Sequence, residues 1–272
     1  AFGADGKPTG AALGFARGCG VEVDALLRVP GERGERLAFR QHVPGQATVT
    51  LLPALTEAAL AALPIAKRMR WGARRAEFVR PVHWVVMLYG STVVPGEVLG
   101  ITTGRETRGH RVHGSARITL ERAADYESAL REKGFVVADY AARRADVAAQ
   151  VRAKAAGLGG TAVIDEALLD EVSSLVEWPR ALAGRFEQRF LEVPAEALIS
   201  SMKQHQKYFH VVDATGALLP YFITVSNIDS SDAQKVVDGN ERVIRPRLTD
   251  AAFFFAQDKQ STLEARRERL RN

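Results

Sequence analysis

One cysteine in 272 residues, Cys19, leaves no partner for an intrachain disulfide and no second thiolate for a multi-cysteine zinc site. That scarcity suits a reducing, cytoplasmic setting. His110 and His113 stand three apart, but no cysteine or acidic cluster lies beside them to complete a ligand set, so no metal is expected. Long apolar runs are also missing. The greasiest stretch, VHWVVMLYG at 82–90, is strand-sized, far short of the ~20 residues a membrane span needs, so a soluble chain without a membrane partner is expected. The opening AFGADGKPTG has no starting Met, no basic start leading into an apolar core and no Arg/Ser-rich amphipathic pattern. It reads as a boundary cut within a longer protein.

The chemistry-bearing motifs are as sparse. There is no GxxxxGKS/T loop, no GxGxxG after a strand, no GxSxG and no HExxH, which removes the common nucleotide and hydrolase routes. Ser200 and Lys203 fit SxxK, in which a lysine one helical turn away could deprotonate the serine. The companion KTG element is missing, and Ser200 reads as an ordinary helix residue. Gly239-Asn240-Glu241-Arg242 superficially resembles the end of a class II synthetase's ATP-binding motif, but the glycine run is absent. Asn240 reads instead as a helix-starting residue, with Arg245 and Arg247 pairing with acids or touching RNA. His83, His110, His113, His205 and His210 each carry acid/base capability, yet none has a partner at defined spacing, which favours hydrogen-bonded structural roles. No catalytic residue is assigned.

What is present is ordinary globular composition, 46% hydrophobic and 25% charged, enough for one large domain or two medium ones. ALTEAALAAL at 54–63 predicts a short helix stopped by Pro64. HWVVMLYG, Gly90-Ser91 and TVVPGEVLGI predict two or three short strands with Gly and Pro at the turns. Two helices, DYESALREKG and ADYAARRADVAAQVRAKAAG, are expected to flank a small strand at 135–137. Leu168, Leu169, Val172, Leu175 and Val176 share one helical face and should be buried, with Trp178-Pro179 ending that helix. Pro194 suits the first position of a helix carrying Leu198, Ile199 and Met202 inward. YFHVV, the turn 213–216 and LLPYFITVS predict a hairpin, and a helical pattern runs from Thr249 into LEARRERLRN. Strands joined by short turns and interspersed with helices predict α+β, with mainly antiparallel sheets and two domains, 1–125 and 126–272.

The net charge of +5 is unevenly placed. From Lys67 to His113 there are nine basic residues against three acids, a local +6 that leaves −1 for the rest of the chain. A basic segment on a balanced protein is a polyanion footprint or a solvated basic surface. Lys67, Arg68, Arg70, Arg74 and Arg75, aided by Arg80, Arg108 and Arg111, are the candidate phosphate-contacting residues. Trp71, Phe78, Trp84 and Trp178 are expected to be mainly buried, Trp71 being the one set among arginines.

Whole segments then become diagnostic. LPIAKRMRWG, EFVRPVHWVVMLYG, TRGHRVHG, LLDEVSSLVEWPRALAGRF, FLEVPAEALISSMKQHQKYFHV and GNERVIRPRLTDAAFFFAQD resemble, in the same order, the front half of the glycyl-tRNA synthetase β-subunit family. The family usually has Pro at Ala66 and Phe at Val112. The resemblance implies a β chain that contributes binding of glycine tRNA and assembles with a catalytic α subunit into an α2β2 ligase. ATP and Mg would then be used through α, with no cofactor in this part and no adenylation by it alone. It also implies modules like those of the phenylalanyl-tRNA synthetase β chain, an analogy of fold and not of site. Two rivals stay open at this point. One is a scaffold whose basic segment packs on protein, since arginine suits interfaces as well as phosphates. The other is a hydrolytic editing module, disfavoured because a tight pocket for glycine rejects larger amino acids by overlap.

Overall fold

The computed structural model describes residues 2–3, 6–31, 34–73, 75–114 and 116–269. They form two compact units, Ala1–Leu51 and Leu52–Asn272.

In the first unit, α1 (Gly10–Cys19) starts where Thr9 accepts the Ala12 amide at 3.4 Å and stops at Gly20, whose φ of 70° only glycine adopts cheaply. Ala12 and Ala16, one turn apart, are its buried face. β1 (Leu27–Gly31) and β2 (Gly34–Ala38) pair as an antiparallel hairpin. The next helix, α2 (Thr48–Ala62), ends just before Pro64 as expected but begins six residues earlier than the pattern indicated. The β-branched Thr48, Val49 and Thr50 and the internal Pro53 hid its first turns.

The second unit, which includes α2 from Leu52 onward, continues with a series of short strands. β3 (Met69–Arg70) pairs with β4 (Glu77–Phe78), β6 (Leu88–Tyr89) with β7 (Thr92–Val93), and β8 (Glu97–Val98) with β9 (Ile101–Gly104), all antiparallel. β5 (Val85–Val86) runs parallel to β9. β10 (Glu106–Arg108) and β11 (Arg117–Thr119) close the series as another antiparallel pair. α3 (Tyr126–Gly134) and α4 (Tyr140–Gly157) follow. The strand expected at 135–137 does not form. Phe135 takes a left-handed φ of 53° to cap α3, and Val137 donates singly to the Glu177 carbonyl at 2.9 Å.

The remainder is built on one four-stranded antiparallel sheet. Its strands are β12 (Thr161–Ala162), β13 (Arg180–Arg185), β14 (Phe209–Val212) and β15 (Leu218–Ser226), in the order β12-β14-β15-β13. Side chains alternate across a strand, so Phe222 and Ile223 point to opposite faces and each seeds a separate core. Ile223, Phe209 and Val211 pack with Val147 and Val151 of α4 and Leu168, Leu169 and Val172 of α5 (Glu166–Leu175). Phe222 packs with Leu198 of α6 (Ala195–Ser200), Met202, Tyr208, and Ile244 and Leu248 of α7 (Ala233–Asp258). Burying each such side chain is worth about 1.5–3 kcal/mol. Gly184 lies opposite Phe222, where an added Cβ would come within 2.3 Å of the ring, so glycine is required there. Helices on both faces of an antiparallel sheet give the α+β class that the sequence pattern predicted.

The predicted hairpin forms between β14 and β15. Asp213 accepts from the Thr215 and Ala217 amides and holds the turn; these bonds and the Thr215 hydroxyl lower its carboxyl from the ordinary value. Two helix expectations need correction. Leu175 is 63% exposed, whereas Ser173 is buried in its stead. The two residues flank the apolar stripe on opposite sides, and the packed side is the serine's. Asn240 does not start a helix. Asp232 caps α7 eight residues earlier, accepting the Lys235 amide at 3.2 Å. Asn240 is interior, where its Oδ1 accepts from Tyr208 Oη at 2.6 Å. The C-terminal pattern breaks after Asp258 and resumes as α8 (Leu263–Arg269). No described helix is long and apolar enough to cross a membrane.

Candidate nucleic-acid interface

The β10–β11 pair sets the geometry. Its register places Glu106 opposite Thr119, Thr107 opposite Ile118 and Arg108 opposite Arg117. Thr107 and Ile118 are 4% and 5% exposed, so alternation puts Glu106, Arg108, Arg117 and Thr119 on the outer face. The connecting segment, GHRVHG, is drawn tight by glycine. A Cβ on Gly109 would lie 2.2 Å from the Gly134 Cα, and one on Gly114 would lie 2.4 Å from the Gly134 oxygen. This close approach lets the His110 amide donate to the Gly134 carbonyl at 2.6 Å, while Gly114 donates back to His110 O at 2.8 Å.

Inside this loop His110 is 2% exposed. Its Nδ1 faces the Val112 and His113 amides at 3.2 and 3.3 Å, which places the proton of the neutral ring on Nε2. Nε2 has no partner among the described residues. His113 stacks on His110 with centroids 5.0 Å apart and accepts the Asp229 amide on Nε2 at 3.0 Å. Phe135 meets Trp178 edge-on at 5.5 Å, and the Arg180 guanidinium lies over the Trp178 ring while pairing with Asp229 at 2.9 Å. These two histidines are therefore joints of the fold.

Trp84 stands at the mouth of the adjoining cleft. Its Nε1 donates to Thr107 Oγ1 at 3.1 Å, which orients the indole and satisfies its one polar atom. The residue is nonetheless 42% exposed. On one side is a cavity of about 560 Å³ lined by His83, Glu106, Arg108, Arg111 and Arg117. Trp84 and Thr107 also line a second hollow, of about 410 Å³, with Val86, Leu88, Leu120, Ala123 and Tyr126. Burial raises the Tyr126 phenol above its ordinary pKa, so it stays neutral. Three arginines thus face one carboxylate beside an open aromatic ring. Glu106 pairs with Arg117 at 2.8 Å. Arg108 and Arg111 have no acidic partner among the described residues.

The expectation of mainly buried aromatics fails for Trp84, which is exposed, whereas Trp71, Phe78 and Trp178 are partly buried with most of their surface covered. The short strands around 69–89 offer too little area to cover an indole on both faces.

The other candidate basic residues lie in different surroundings. Arg68 donates to the carbonyls of Leu60, Ala61 and Leu63 at 3.4, 2.9 and 3.3 Å, satisfying the C-terminal end of α2. Arg70 pairs with its cross-strand neighbour Glu77 at 2.6 Å, so local neutralisation reaches further than the charge count implied. Arg75 is exposed and lines a hollow of about 360 Å³ with Glu57, Arg68 and Glu77. Lys67 and Arg80 are exposed. Arg74 lies outside the described residues.

Arg117 and the exposed face of Trp84 escaped the sequence reading. The signal was there in ETR and RIT, two alternating triplets framing a glycine-bounded loop, whose pairing sets the two arginines side by side.

The SxxK lysine is engaged elsewhere. Lys203 sits in a π-helical turn, Ser201–His205, and its Nζ lies 2.5 Å from Asp165 Oδ2. That bond and the Leu168 amide hold the Asp165 carboxyl below its ordinary value, and the ammonium is not available as a base for Ser200. Glu241 of the Gly239–Arg242 string accepts the Arg185 amide at 2.9 Å, a structural bond.

Guanidinium groups beside an accessible indole offer charge-assisted hydrogen bonds to an anion and a face for stacking a ring. Residues 1–272 match the model of the family described as glycyl-tRNA synthetase beta subunit, and the chain belongs to this family. The glycine–tRNA ligase beta subunit of Hahella chejuensis is 59% identical over 271 residues, covering 100% of this chain and 39% of the relative. That of Chromohalobacter salexigens is 58% identical over 266 residues, 98% of this chain and 38% of the relative. That of Marinobacter nauticus is 54% identical over 272 residues, 100% of this chain and 39% of the relative. The chain therefore spans about two fifths of the length of the curated relatives it matches.

Proposed function

We propose that this chain supplies an RNA-binding surface to a cytoplasmic glycine–tRNA ligase, working beside a catalytic α subunit in an α2β2 assembly. On this reading ATP and Mg act in α, and the present residues contribute grip on glycine tRNA. The observation that carries it is the pair of un-neutralised arginines, Arg108 and Arg111, held at a cleft beside Trp84 in a chain of this family. A surface that leaves guanidinium groups without carboxylates has phosphate as its natural complement. Arg75, Lys67 and Arg80 extend the exposed basic surface along the sequence. The assembly half of the reading has support in α7, where Phe253 and Phe254 are 57% and 62% exposed and pack on each other at 5.5 Å.

The scaffold reading has its own observation, the engagement of Arg68 and Arg70 within the chain. Salt dependence separates the two. Replacing Arg75, Arg108 and Arg111 by Ala in the assembled enzyme should weaken glycine tRNA binding and flatten the slope of log affinity against log salt by roughly 0.7–0.9 for each arginine that had neutralised a phosphate. The α2β2 assembly, read by light scattering, should stay intact. Arg68→Ala serves as the contrast, lowering the melting temperature without changing the slope. Dissociation of the subunits at unchanged tRNA affinity would establish the scaffold reading instead.

A further inference from the structure

We infer that the Trp84 cleft takes one unpaired nucleotide of the RNA, its base stacked on the indole and its phosphate bridging Arg108 and Arg117. The inference rests on the RNA-binding reading and specifies what enters the site.

Two observations carry it independently. The first is the pre-oriented indole. A tryptophan on a soluble surface ordinarily turns its ring against neighbouring side chains, yet Trp84 is tied by its polar edge to a 4%-exposed threonine and keeps 42% of its surface open. It lines a cavity of about 560 Å³ that holds three arginines and a second hollow of about 410 Å³ that holds none. Both volumes fall in the ~300–1,000 Å³ range of small-ligand pockets. A base within a duplex has both faces covered by its neighbours and cannot reach such a ring, whereas an unstacked base can.

The second is an electrostatic conflict in the β-ladder. Arg108 and Arg117 are directly opposite one another in register. Side chains so placed have Cβ atoms about 4.5–5.5 Å apart, and like charges there are destabilising. Glu106 offsets Arg117 at 2.8 Å, but Arg108 has no acidic partner among the described residues, and Arg111 adds a third guanidinium to the same cavity. A bridging phosphate oxygen removes that conflict and accepts charge-assisted hydrogen bonds from both strands. Because the arginines sit at the rim of the cavity that Trp84 lines, a phosphate and the base attached to it meet their partners at once.

The test uses the assembled enzyme with full-length β chain and two probes, glycine tRNA and a mixed-sequence single-stranded RNA decamer, with a blunt RNA duplex as comparator. Trp84→Ala should weaken the first two by roughly five- to a hundredfold, the effect of losing one base–aromatic stack, leaving the salt slope and the duplex affinity unchanged. Trp84→Phe should restore most of the loss. Arg108→Ala should weaken binding and flatten the slope by roughly 0.7, the single-strand value. If Trp84→Ala does not assemble, Trp84→Leu, which keeps apolar bulk without an extended ring, is read in its place. Unchanged affinity in the Trp84 variants, with Arg108→Ala still weakening and flattening, would overturn the nucleotide pocket and leave RNA binding standing. Unchanged tRNA affinity in both sets would overturn both readings.

Discussion

Two parts of the second unit are built on opposite principles. The four-stranded sheet runs up to nine residues per strand and carries apolar side chains on both faces, so Phe209, Phe222, Ile223, Leu198, Ile244 and Leu248 are all fully buried. The segment from β3 to β11 uses strands of two to four residues, and its shape depends on glycine contacts, single hydrogen bonds and arginine side chains. Burial scales with contiguous apolar area, so the sheet supplies most of the folding free energy. The short strands cannot contribute as much. In exchange they leave guanidinium groups and an indole open to solvent, which a deeply packed region does not.

The sharpest way to test this contrast is to truncate one large aromatic in each part. Phe222→Ala, in the sheet and stacked on Tyr208 at 4.5 Å, should cost about 3–5 kcal/mol and lower the melting temperature by roughly ten degrees. Trp84→Ala, at a half-open position, should cost less than half of that in the same melt. Equal losses would mean that the cleft is a core in its own right and the contrast is false.

A smaller effect is expected from Gly109→Ala. The atoms that its Cβ would meet are backbone, so no rotamer change relieves the overlap, and overpacking of this kind costs about 1–3 kcal/mol. The substitution should also displace Arg108 and Arg111, so RNA affinity falls together with stability. A variant that loses stability at full affinity would show that the loop does not position the arginines.

The smallest effect concerns pH. His210 lies on β14, and burial, followed by the nearby Lys203 charge, lowers its pKa from the ordinary 6.5, against an opposing pull from Asp165. A depressed histidine pKa means that the unfolded chain binds the proton more readily, so stability is undiminished by this group above about pH 6.5 and falls as pH drops toward the folded value. Between pH 8 and 5 the melting temperature of the native protein should therefore drop slightly more than that of His210→Gln. A parallel response would remove His210 from the account.

Legibility in the sequence followed the same division. The β14–β15 hairpin, α4, α5 and the inward Leu198 and Met202 could be read from periodicity, because long buried elements impress a strong pattern on their residues. Where elements are two residues long there is no period to read. The left-handed cap at Phe135 replaced an expected strand, and Asn240 gave up its expected capping role to Asp232, since α7 runs through Gly239 and Pro246 without stopping. The candidate site was legible as charge but not as geometry. Counting arginines located the region, whereas only register pairs Arg108 with Arg117, and only side-chain bonds separate Arg68 and Arg70, engaged internally, from Arg108 and Arg111.

The meeting of Gly109, Gly114 and Gly134 has a mechanical corollary. Bare backbones meet there with no side chain between them, so α3 and the arginine-bearing loop are joined by direct backbone contact and by the His110–Gly134 hydrogen bond. Through His113 and the Asp229 amide the same loop is also latched to the segment leading into α7. The hairpin is thus anchored at two separated points, the end of α3 at Gly134 and the approach to α7 at Asp229.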